Sequence, residues 1–450
     1  MIRCVSGLVA VPAAAVFFFG TTTSVRAQNK EPVHQHEAST RVEGPPVTLQ
    51  GVIQEALERN PELAALRDQI AVARQRPAQE RSLMPPMAEA QIWQWPINTL
   101  NPANTNMYMF MLGQDLPGRG KRDARASVAE KHVALAGADV TIRARQIVNE
   151  IKQAYAALFI ARKASEVHLE SVDLLERIAD AAQIRYAAGR GSQQDALKPV
   201  IELSKLHGDV IMHDEEAGLA AARLNVLLNR PPETPLGPLE EPREQLLLPP
   251  SSELQQLAVA NQPELQRARI EIERAGAELA SARLERKPDF TVQAGYMLLP
   301  NDTDGVLAKF GITWPNAPWS RGRIDAKVAE QSAAAGSARS RERAMENTVR
   351  LAVQEAYVRA KAAQERASLA RTTILPQAQQ GFELSRAAYQ ADRGDFQSVL
   401  DAERSLLDTR LEYFRALAEF SQALADLERA VGVELPAGTT KLAVSSEGQK

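Results

Sequence analysis

The sequence predicts a mainly α-helical protein in which a helix–hairpin–long-helix repeat occurs twice and contributes four strands to a transmembrane β-barrel. Three observations support this fold class: segments that recur at a constant spacing, long stretches with helical periodicity, and short stretches in which apolar and polar residues alternate. The 450 residues are 44% apolar and 24% charged, which is typical of folded proteins. The formal net charge of −3 does not favour a nucleic-acid partner.

The N-terminus has the layout of a secretory signal peptide, which we predict to span residues 1–27. Arg3 precedes an apolar run from Val5 to Phe19, and small residues lead to an expected cleavage site after Ala27. Cys4, the only cysteine, comes before the apolar run, so we expect neither a lipid anchor nor a disulfide in the exported chain. No later stretch approaches the eighteen or so consecutive apolar residues of a transmembrane helix.

The internal repeat is carried by short segments that recur at one spacing. The segments 202 positions apart are Asn60–Leu63 and Gln262–Leu265, Arg119–Lys121 and Arg321–Arg323, Asp123 and Asp325, and Tyr155 and Tyr357; Tyr186 and Tyr389 are 203 apart, as are Leu197 and Leu400. Such a constant offset indicates a duplication. We predict a flexible leader at 28–47, a first repeat at 48–235, a proline-rich linker at 236–250, a second repeat at 251–436 and a tail at 437–450.

Each repeat ends in unusually long helices. From Lys121 to Ala188 apolar residues recur every three or four positions without a proline, which predicts one helix of about 100 Å. The second repeat has the same pattern from Ile324 onward, and we expect Pro376 to kink or break the helix.

A hairpin of alternating residues precedes the long helices in each repeat. In the second repeat the alternation covers 289–298 and 306–314 around a polar turn. In the first repeat the pattern is weaker, and we predict strands at 89–95 and 106–116. Strands of eight to ten residues suit a membrane barrel, and the four tryptophans lie in or beside the hairpins, as in interfacial aromatic belts. They are Trp93, Trp95, Trp314 and Trp319.

Four strands per chain have a consequence for assembly. An open sheet edge is not tolerated in lipid, so subunits must pool their strands. Two subunits would give eight strands and a filled interior, whereas three would give twelve strands and room for a channel. A cyclic trimer also has the closed symmetry that oligomers favour. The alternative is a sheet packed on the helices of a soluble periplasmic coiled-coil scaffold, which would need no aromatic-belted strands.

In order, these features resemble the TolC-like outer membrane efflux protein family over nearly the whole exported chain. Ala56–Leu63 is similar to the family's opening helix, Asp115–Arg122 to its strand-to-helix junction, and Tyr389–Gly394 with Val399–Ala402 to a helix-hairpin tip and the segment after it. The resemblance implies a homotrimer with a twelve-stranded barrel in outer-membrane lipid and an α-helical tunnel through the periplasm. It also implies a periplasmic adaptor and an inner-membrane transporter of the RND type as partners.

The resemblance further implies two functional regions. The hairpin tips that would contact the adaptor are Gly189, Arg190, Gly191, Asp392, Arg393 and Gly394. The carboxylates that would close the periplasmic end are Asp195 and Asp401, since three-fold symmetry brings copies of one carboxylate together. The chain departs from the family pattern at Ser398, where a second acid is expected. The alternative interpretation is that these residues form ordinary helix-ending turns and solvated charges.

Methionines and histidines bear on the substrate. The first hairpin region contains Met84, Met87, Met107, Met109 and Met111, and the leader contains His34 and His36. Thioether and imidazole groups suit soft cations, although methionine on a strand is also ordinary apolar filler. The junction is similar to that of the heavy-metal efflux branch of the family, so we favour metal cations over a drug efflux or type I secretion role.

No enzyme motif is present. The sequence lacks a glycine-rich phosphate loop after a strand, a nucleophile elbow, a zinc-binding HExxH and paired cysteines. We therefore predict no catalytic residue, no cofactor and no resident metal. His132, His168, His207 and His213 lie on predicted helices without a ligand-spaced partner, and we expect them at the surface or in an interface.

Overall fold

The computed structural model describes residues 46–435 except 96, 100, 102, 103, 190, 243–247, 301 and 392. The predicted signal peptide, nearly all of the leader and the tail lie outside these residues. The first repeat consists of α1 (Leu49–Arg59), α2 (Pro61–Arg81), β1 (Met87–Trp93), β2 (Met107–Leu116), α3 (Lys121–Ala187) and α4 (Gln193–Leu227). The second consists of α5 (Ser251–Asn261), α6 (Pro263–Leu284), β3 (Asp289–Leu298), β4 (Gly305–Thr313), α7 (Arg321–Leu369), a π-helical turn (Ala370–Ile374), α8 (Leu375–Gln390) and α9 (Phe396–Val431).

The two repeats share one packing scheme. In the first repeat Ile147 and Ile151 are fully buried beside Leu224, and in the second Val353 is fully buried beside Leu427. Val353 is 202 positions after Ile151, and Leu427 is 203 after Leu224. Equivalent positions thus fill equivalent cores, and the predicted duplication is confirmed.

The first long helix is also confirmed, because α3 has 67 residues and a length of about 100 Å. Its equivalent in the second repeat is interrupted by the π-helical turn Ala370–Ile374, directly before Pro376. A π-helical turn holds one residue more than the α-helical path. The offset between the repeats is 202 before this turn and 203 after it, so the turn accommodates a single extra residue.

The junction between α1 and α2 is formed by Asn60. Its side chain accepts hydrogen bonds from the backbone amides of Glu62 and Leu63 and donates to the carbonyl of Leu227 at 3.1 Å. The following proline suits the first turn, where no amide hydrogen is needed. Gln262, its equivalent, makes no side-chain cap.

The strands form one antiparallel sheet in the order β1-β2-β3-β4, so β1 and β4 are its outer strands. β2 pairs with β3 across the repeats, with Phe110 opposite Tyr296. The predicted first strand at 89–95 is wrong by two residues, because β1 spans Met87–Trp93. Gln94, with a φ of +59°, turns the chain out of the extended conformation. None of the helices in the described part of the chain is long and apolar enough to cross a membrane.

The linker between the repeats lies along α3. The hydroxyl of Tyr155 lies 2.9 Å from the carbonyl oxygen of Val47 and 3.1 Å from that of Glu240, either of which accepts its one hydrogen, and it accepts from the backbone amide of Glu240. Arg162 donates to the carbonyls of Leu236 and Gly237. The described linker residues, 236–242 and 248–250, contain no helix, in agreement with their proline-rich composition.

Candidate functional site

One face of the sheet is apolar and exposed. Side chains alternate between the two faces of a strand, so the even-numbered residues of all four strands share this face. Val306 is 84% exposed and Phe310 79%. Phe110, Tyr296 and Val306 form one continuous row across three strands. An exposed apolar surface that follows the strands in this way is typical of strands that face lipid.

The opposite face of the sheet, formed by the odd-numbered residues, carries polar side chains and methionines. It includes Glu89, Gln91, Met109, Met111, Asp115, Thr291, Gln293, Met297 and Lys309. Met111 leans over Gly295, because a Cβ placed there would lie 2.9 Å from the Met111 Cγ. Glycine at this position therefore lets the long thioether lie along the sheet. The two faces of the sheet thus differ strongly in polarity.

A buried ion pair joins the sheet to the helices. Lys121, the first residue of α3, is 1% exposed, and its ammonium lies 2.8 Å from the Oδ2 of Asp289 and 3.7 Å from Glu285. The other oxygen of Asp289 accepts from the amide of Gly118 at 2.7 Å. Because Lys121 belongs to the first repeat and both acids to the second, this cluster fixes the repeats to each other where strands become helices. The sequence indicated the junction but not its buried charge.

The predicted tips are turns between long helices. Gly189 follows α3 with a φ of +71°, a backbone conformation that glycine adopts readily. At the second tip a Cβ on Gly394 would lie 3.2 Å from the Cβ of Ala388, so the close approach of the backbone favours glycine there. Gly191 and Arg393 are exposed beside them. Arg190 and Asp392 lie outside the described residues.

Aromatic and cationic groups hold the two tips together. The guanidinium of Arg185, near the end of α3, lies 4.5 Å from the ring centroid of Tyr389, near the end of α8. Tyr389 in turn meets Phe396, the first residue of α9, with ring centroids 5.6 Å apart in an edge-to-face arrangement. The two exposed turns are therefore presented as one unit.

The two predicted gate residues have different local roles. Asp195 forms a capping box with Ser192 at the start of α4: each side chain accepts from the other residue's amide at 3.1 Å. Asp401 is 58% exposed, and its Oδ1 accepts a hydrogen bond from the side-chain Nε2 of Gln397 at 2.8 Å. Asp195 is the third residue of α4 and Asp401 the sixth of α9, so the two carboxylates lie about one turn apart along the helices.

A polar network above the tips connects α4 with α9. Arg404 binds Glu202, with its Nε 2.9 Å from the Oε1 of Glu202. The Arg404 guanidinium lowers the pKa of Glu202 below its ordinary value. Lys198 donates to Gln397 at 2.7 Å. Glu403 is 2% exposed, and its burial raises its pKa. These contacts place Asp401 within a chain of charged groups that sequence reasoning did not reveal.

Two histidines are brought together inside the helical wall. His168 of α3 and His213 of α4 are each 5% exposed, and their rings stack with centroids 5.1 Å apart. The Nδ1 of His213 lies 2.9 Å from the Oε2 of Glu216, whereas the buried Nδ1 of His168 has no hydrogen-bond partner among the residues that the structure describes.

Burial, reinforced by His213, lowers the pKa of His168, while Asp209 and Asp408 act in the opposite direction. The two histidines are 45 positions apart in the sequence without ligand spacing, and their contact arises only from the packing of α3 against α4. No group of three or more His, Cys, Asp or Glu side chains able to hold a metal occurs among the described residues.

The comparison with known proteins agrees with this geometry. The sequence profile of the outer membrane efflux protein family matches residues 52–229 and 254–433, one match for each repeat. This chain therefore belongs to the outer membrane efflux protein family.

Similar proteins include the cobalt-zinc-cadmium resistance protein CzcC of Cupriavidus metallidurans, 26% identical over 292 residues that cover 63% of this chain and 67% of that protein. Among solved structures, the outer membrane protein VceC of Vibrio cholerae superposes with a TM-score of 0.70 at 19% identity, covering 86% of this chain and 96% of its own. The channel protein CusC superposes with a TM-score of 0.70 at 17% identity, covering 86% and 92%. The fold of this chain is thus that of VceC and CusC.

Proposed function

We propose that this protein is the outer-membrane channel subunit of a tripartite efflux system and works as a homotrimer without catalysing a reaction. The observation that carries the proposal is the four-stranded sheet, which has an exposed apolar face and two outer strands, β1 and β4, without neighbours in the described chain. Lipid does not tolerate such edges, so β4 of one subunit must pair with β1 of the next.

Three subunits would contribute twelve strands, enough to enclose a channel. The apolar face, with Phe310 and Ile312, would contact lipid, and the mixed polar face, with Gln293 and Lys309, would line the pore. The long helices would then continue the channel for about 100 Å into the periplasm.

The tips would meet the partners. Gly189 and Gly394 form exposed turns at the end of the helices farthest from the sheet, where a periplasmic adaptor bound to an inner-membrane RND-type transporter would dock. Asp195 and Asp401 lie within about two turns of these tips and, repeated three times, would form acidic rings that attract cations. The helix cap at Asp195 and the α4–α9 network at Asp401 would hold these carboxylates in place at the narrow periplasmic end of the channel.

The transported substrates are heavy-metal cations in this proposal. Support comes from the similarity to CzcC, a cobalt-zinc-cadmium resistance protein. Substrate selection would then belong to the inner-membrane transporter.

A growth-inhibition panel on a deletion strain tests the substrate. The strain, with and without a plasmid copy, is exposed to cobalt, zinc, cadmium, copper and silver salts and, in parallel, to dyes, detergents and antibiotics. Hypersensitivity confined to metals and restored by the plasmid supports metal efflux. Sensitivity to amphipathic drugs with unchanged metal tolerance would contradict it and leave the channel role standing. Recovery of the protein with the soluble periplasmic fraction would contradict the channel role itself.

A further inference from the structure

Methionines are concentrated on one face of the sheet. Five of the nine methionines of the sequence lie in the four strands, and all five are odd-numbered, so they share the face that carries the polar side chains. They are Met87, Met107, Met109, Met111 and Met297. Methionine used as ordinary apolar filler is expected on the apolar face, yet the even-numbered residues of the strands, all of which the structure describes, include none. The methionines are therefore placed on the polar face and not distributed as filler.

The face with the methionines is also the more covered of the two. Met107, Met109, Met111 and Met297 are half-buried, whereas Phe110, between two of them on the same strand, is exposed on the other side. Such a difference is expected when the methionine face is the inner side of a curved sheet. If the strands of three subunits close around a channel, this face lines the pore.

Three of the methionines lie close together on β2 and β3. Met109 lies directly opposite Met297, and side chains in this position have Cβ atoms about 5 Å apart. Met111 follows Met109 on the same face, about 7 Å along the strand. It is also the diagonal neighbour of Met297, a distance that long side chains can bridge. We call Met109, Met111 and Met297 the methionine triad.

Glycines on the neighbouring strands give the triad room to move. Met111 lies opposite Gly295, and Met297 lies opposite Gly305. A Cβ at Gly305 would lie 2.8 Å from the Cε of Met297, so this side chain covers the glycine as Met111 covers Gly295. Each thioether thus lies over a position without a side chain, where rotation about its own bonds can turn the sulfur towards the other two.

The polar neighbours of the triad suit a bound cation. Glu89 of β1 lies directly opposite Met111, and Gln91 lies opposite Met109. A carboxylate beside three neutral sulfurs offsets the charge of a cation held there, and the Gln91 carbonyl is a further oxygen ligand. Lys309 shares the face but lies on β4, two strands away from Met111.

We propose that the methionine triad is a transient binding site for a soft monovalent cation, Cu(I) or Ag(I), on the wall of the pore. Thioether sulfur suits soft cations, whereas Mg(II) and Mn(II) favour carboxylate, carbonyl and water ligands. The inference rests on the proposed function, because only in a closed channel does this face meet the passing substrate. It names the class of heavy-metal cation that the wall binds. Conduction requires sites weak enough for the ion to leave, which agrees with three neutral ligands on a face open to water.

Protection from oxidation tests the site one residue at a time. The wild-type trimer, purified from outer membranes in detergent and chloride-free buffer, is treated with hydrogen peroxide with and without silver nitrate. Sulfoxide formation at each methionine is then measured by mass spectrometry of peptides. A silver ion on the sulfur occupies the lone pair that peroxide attacks, so oxidation of the triad should slow on the order of ten-fold. Met84 and Met212, 67% and 46% exposed, should be oxidised equally with and without silver.

Two matched variants measure the affinity. Each replaces three methionines by leucine, which conserves volume and removes three sulfurs. The triad variant is Met109→Leu/Met111→Leu/Met297→Leu, and the control variant is Met84→Leu/Met212→Leu/Met345→Leu. In equilibrium dialysis against silver nitrate, the triad variant should bind silver on the order of ten-fold more weakly than the wild type, and the control variant should bind it equally. Manganese(II) in place of silver should show no difference among the three proteins.

The outcomes separate this inference from the proposed function. Equal oxidation of the triad with and without silver, or equal protection of all methionines, would overturn the site, and so would equal silver binding by the triad variant and the wild type. The channel role stands in each of these cases. The oxidation experiment uses the wild-type protein, so it decides even if the triad variant does not fold. Recovery of the wild-type protein as a monomer in the soluble periplasmic fraction would instead refute the proposed function.

Discussion

The buried ion pair at the strand-to-helix junction gives a quantitative prediction. Asp289→Asn leaves the Lys121 ammonium, 1% exposed, without the carboxylate that lies 2.8 Å away. Removing one partner of a fully buried pair costs about 3–5 kcal/mol. Here the cost is smaller, about 1–3 kcal/mol, because Asp289 is 38% exposed and Glu285 remains 3.7 Å from the ammonium.

The reciprocal change should cost less. Lys121→Met removes the buried charge and leaves Asp289 in partial contact with water, so we expect a loss of about 1 kcal/mol. The double variant should be no less stable than Asp289→Asn alone, because it contains no unpaired buried charge. Arg323, the equivalent of Lys121 in the second repeat, is exposed, and Arg323→Met should change stability by less than about 0.5 kcal/mol.

The assay is thermal loss of helical circular dichroism for the detergent-solubilised protein and its variants, recorded at one heating rate. The expected order of midpoints is wild type and Arg323→Met, then Lys121→Met, then Asp289→Asn. If the two single effects simply add in the double variant, within about 0.5 kcal/mol, the pair is not coupled and the reasoning is refuted.

Three further predictions use the same assay. Burial lowers the pKa of His168, so the unfolded chain takes up the proton first, and stability should fall as the pH drops below about 6.5; His168→Leu should flatten this loss. Asn60→Ala should cost about 1–2 kcal/mol and Gln262→Ala clearly less, since only the former removes a side-chain cap. Gly432→Ala should lower the stability by about 2 kcal/mol, because the φ of Gly432 is +81° and the added Cβ would lie 2.8 Å from the carbonyl oxygen of Asn261. Gly336→Ala should raise the stability slightly, because Gly336 lies within a helix and its Cβ would meet open space. Equal changes in stability for the two variants would show that the backbone at Gly432 is not strained.

Much of the fold was predictable because the local periodicity of apolar residues identifies the long helices and the strands. The helix that begins at Lys121 was predicted to end within one residue of its observed end, and the alternation around Phe290 and Phe310 identified β3 and β4. The β1 strand was misplaced by two residues, because its sequence alternates weakly and its position is set by pairing with β2. The resemblance to the family indicates the tip glycines Gly189 and Gly394, while Arg190 and Asp392 of the same turns lie outside the described residues.

The candidate site was predictable only in part. The resemblance indicates Asp195 and Asp401, but the sequence does not show that Asp195 caps a helix or that Asp401 lies in a network with Arg404. The contact between His168 and His213 was also missed. These residues lie far apart in sequence, and their meeting depends on the register with which α3 packs against α4.

The change of offset between the repeats shows most clearly what the sequence determines and what only the tertiary structure decides. Residue spacing by itself determined that the second repeat has one extra residue between Tyr357 and Tyr389. Only the tertiary structure located that residue in the π-helical turn Ala370–Ile374 before Pro376. A long helix of regular composition can absorb an insertion at many points, and the choice is made by the neighbouring helices, whose buried side chains fix the register on both sides of the turn.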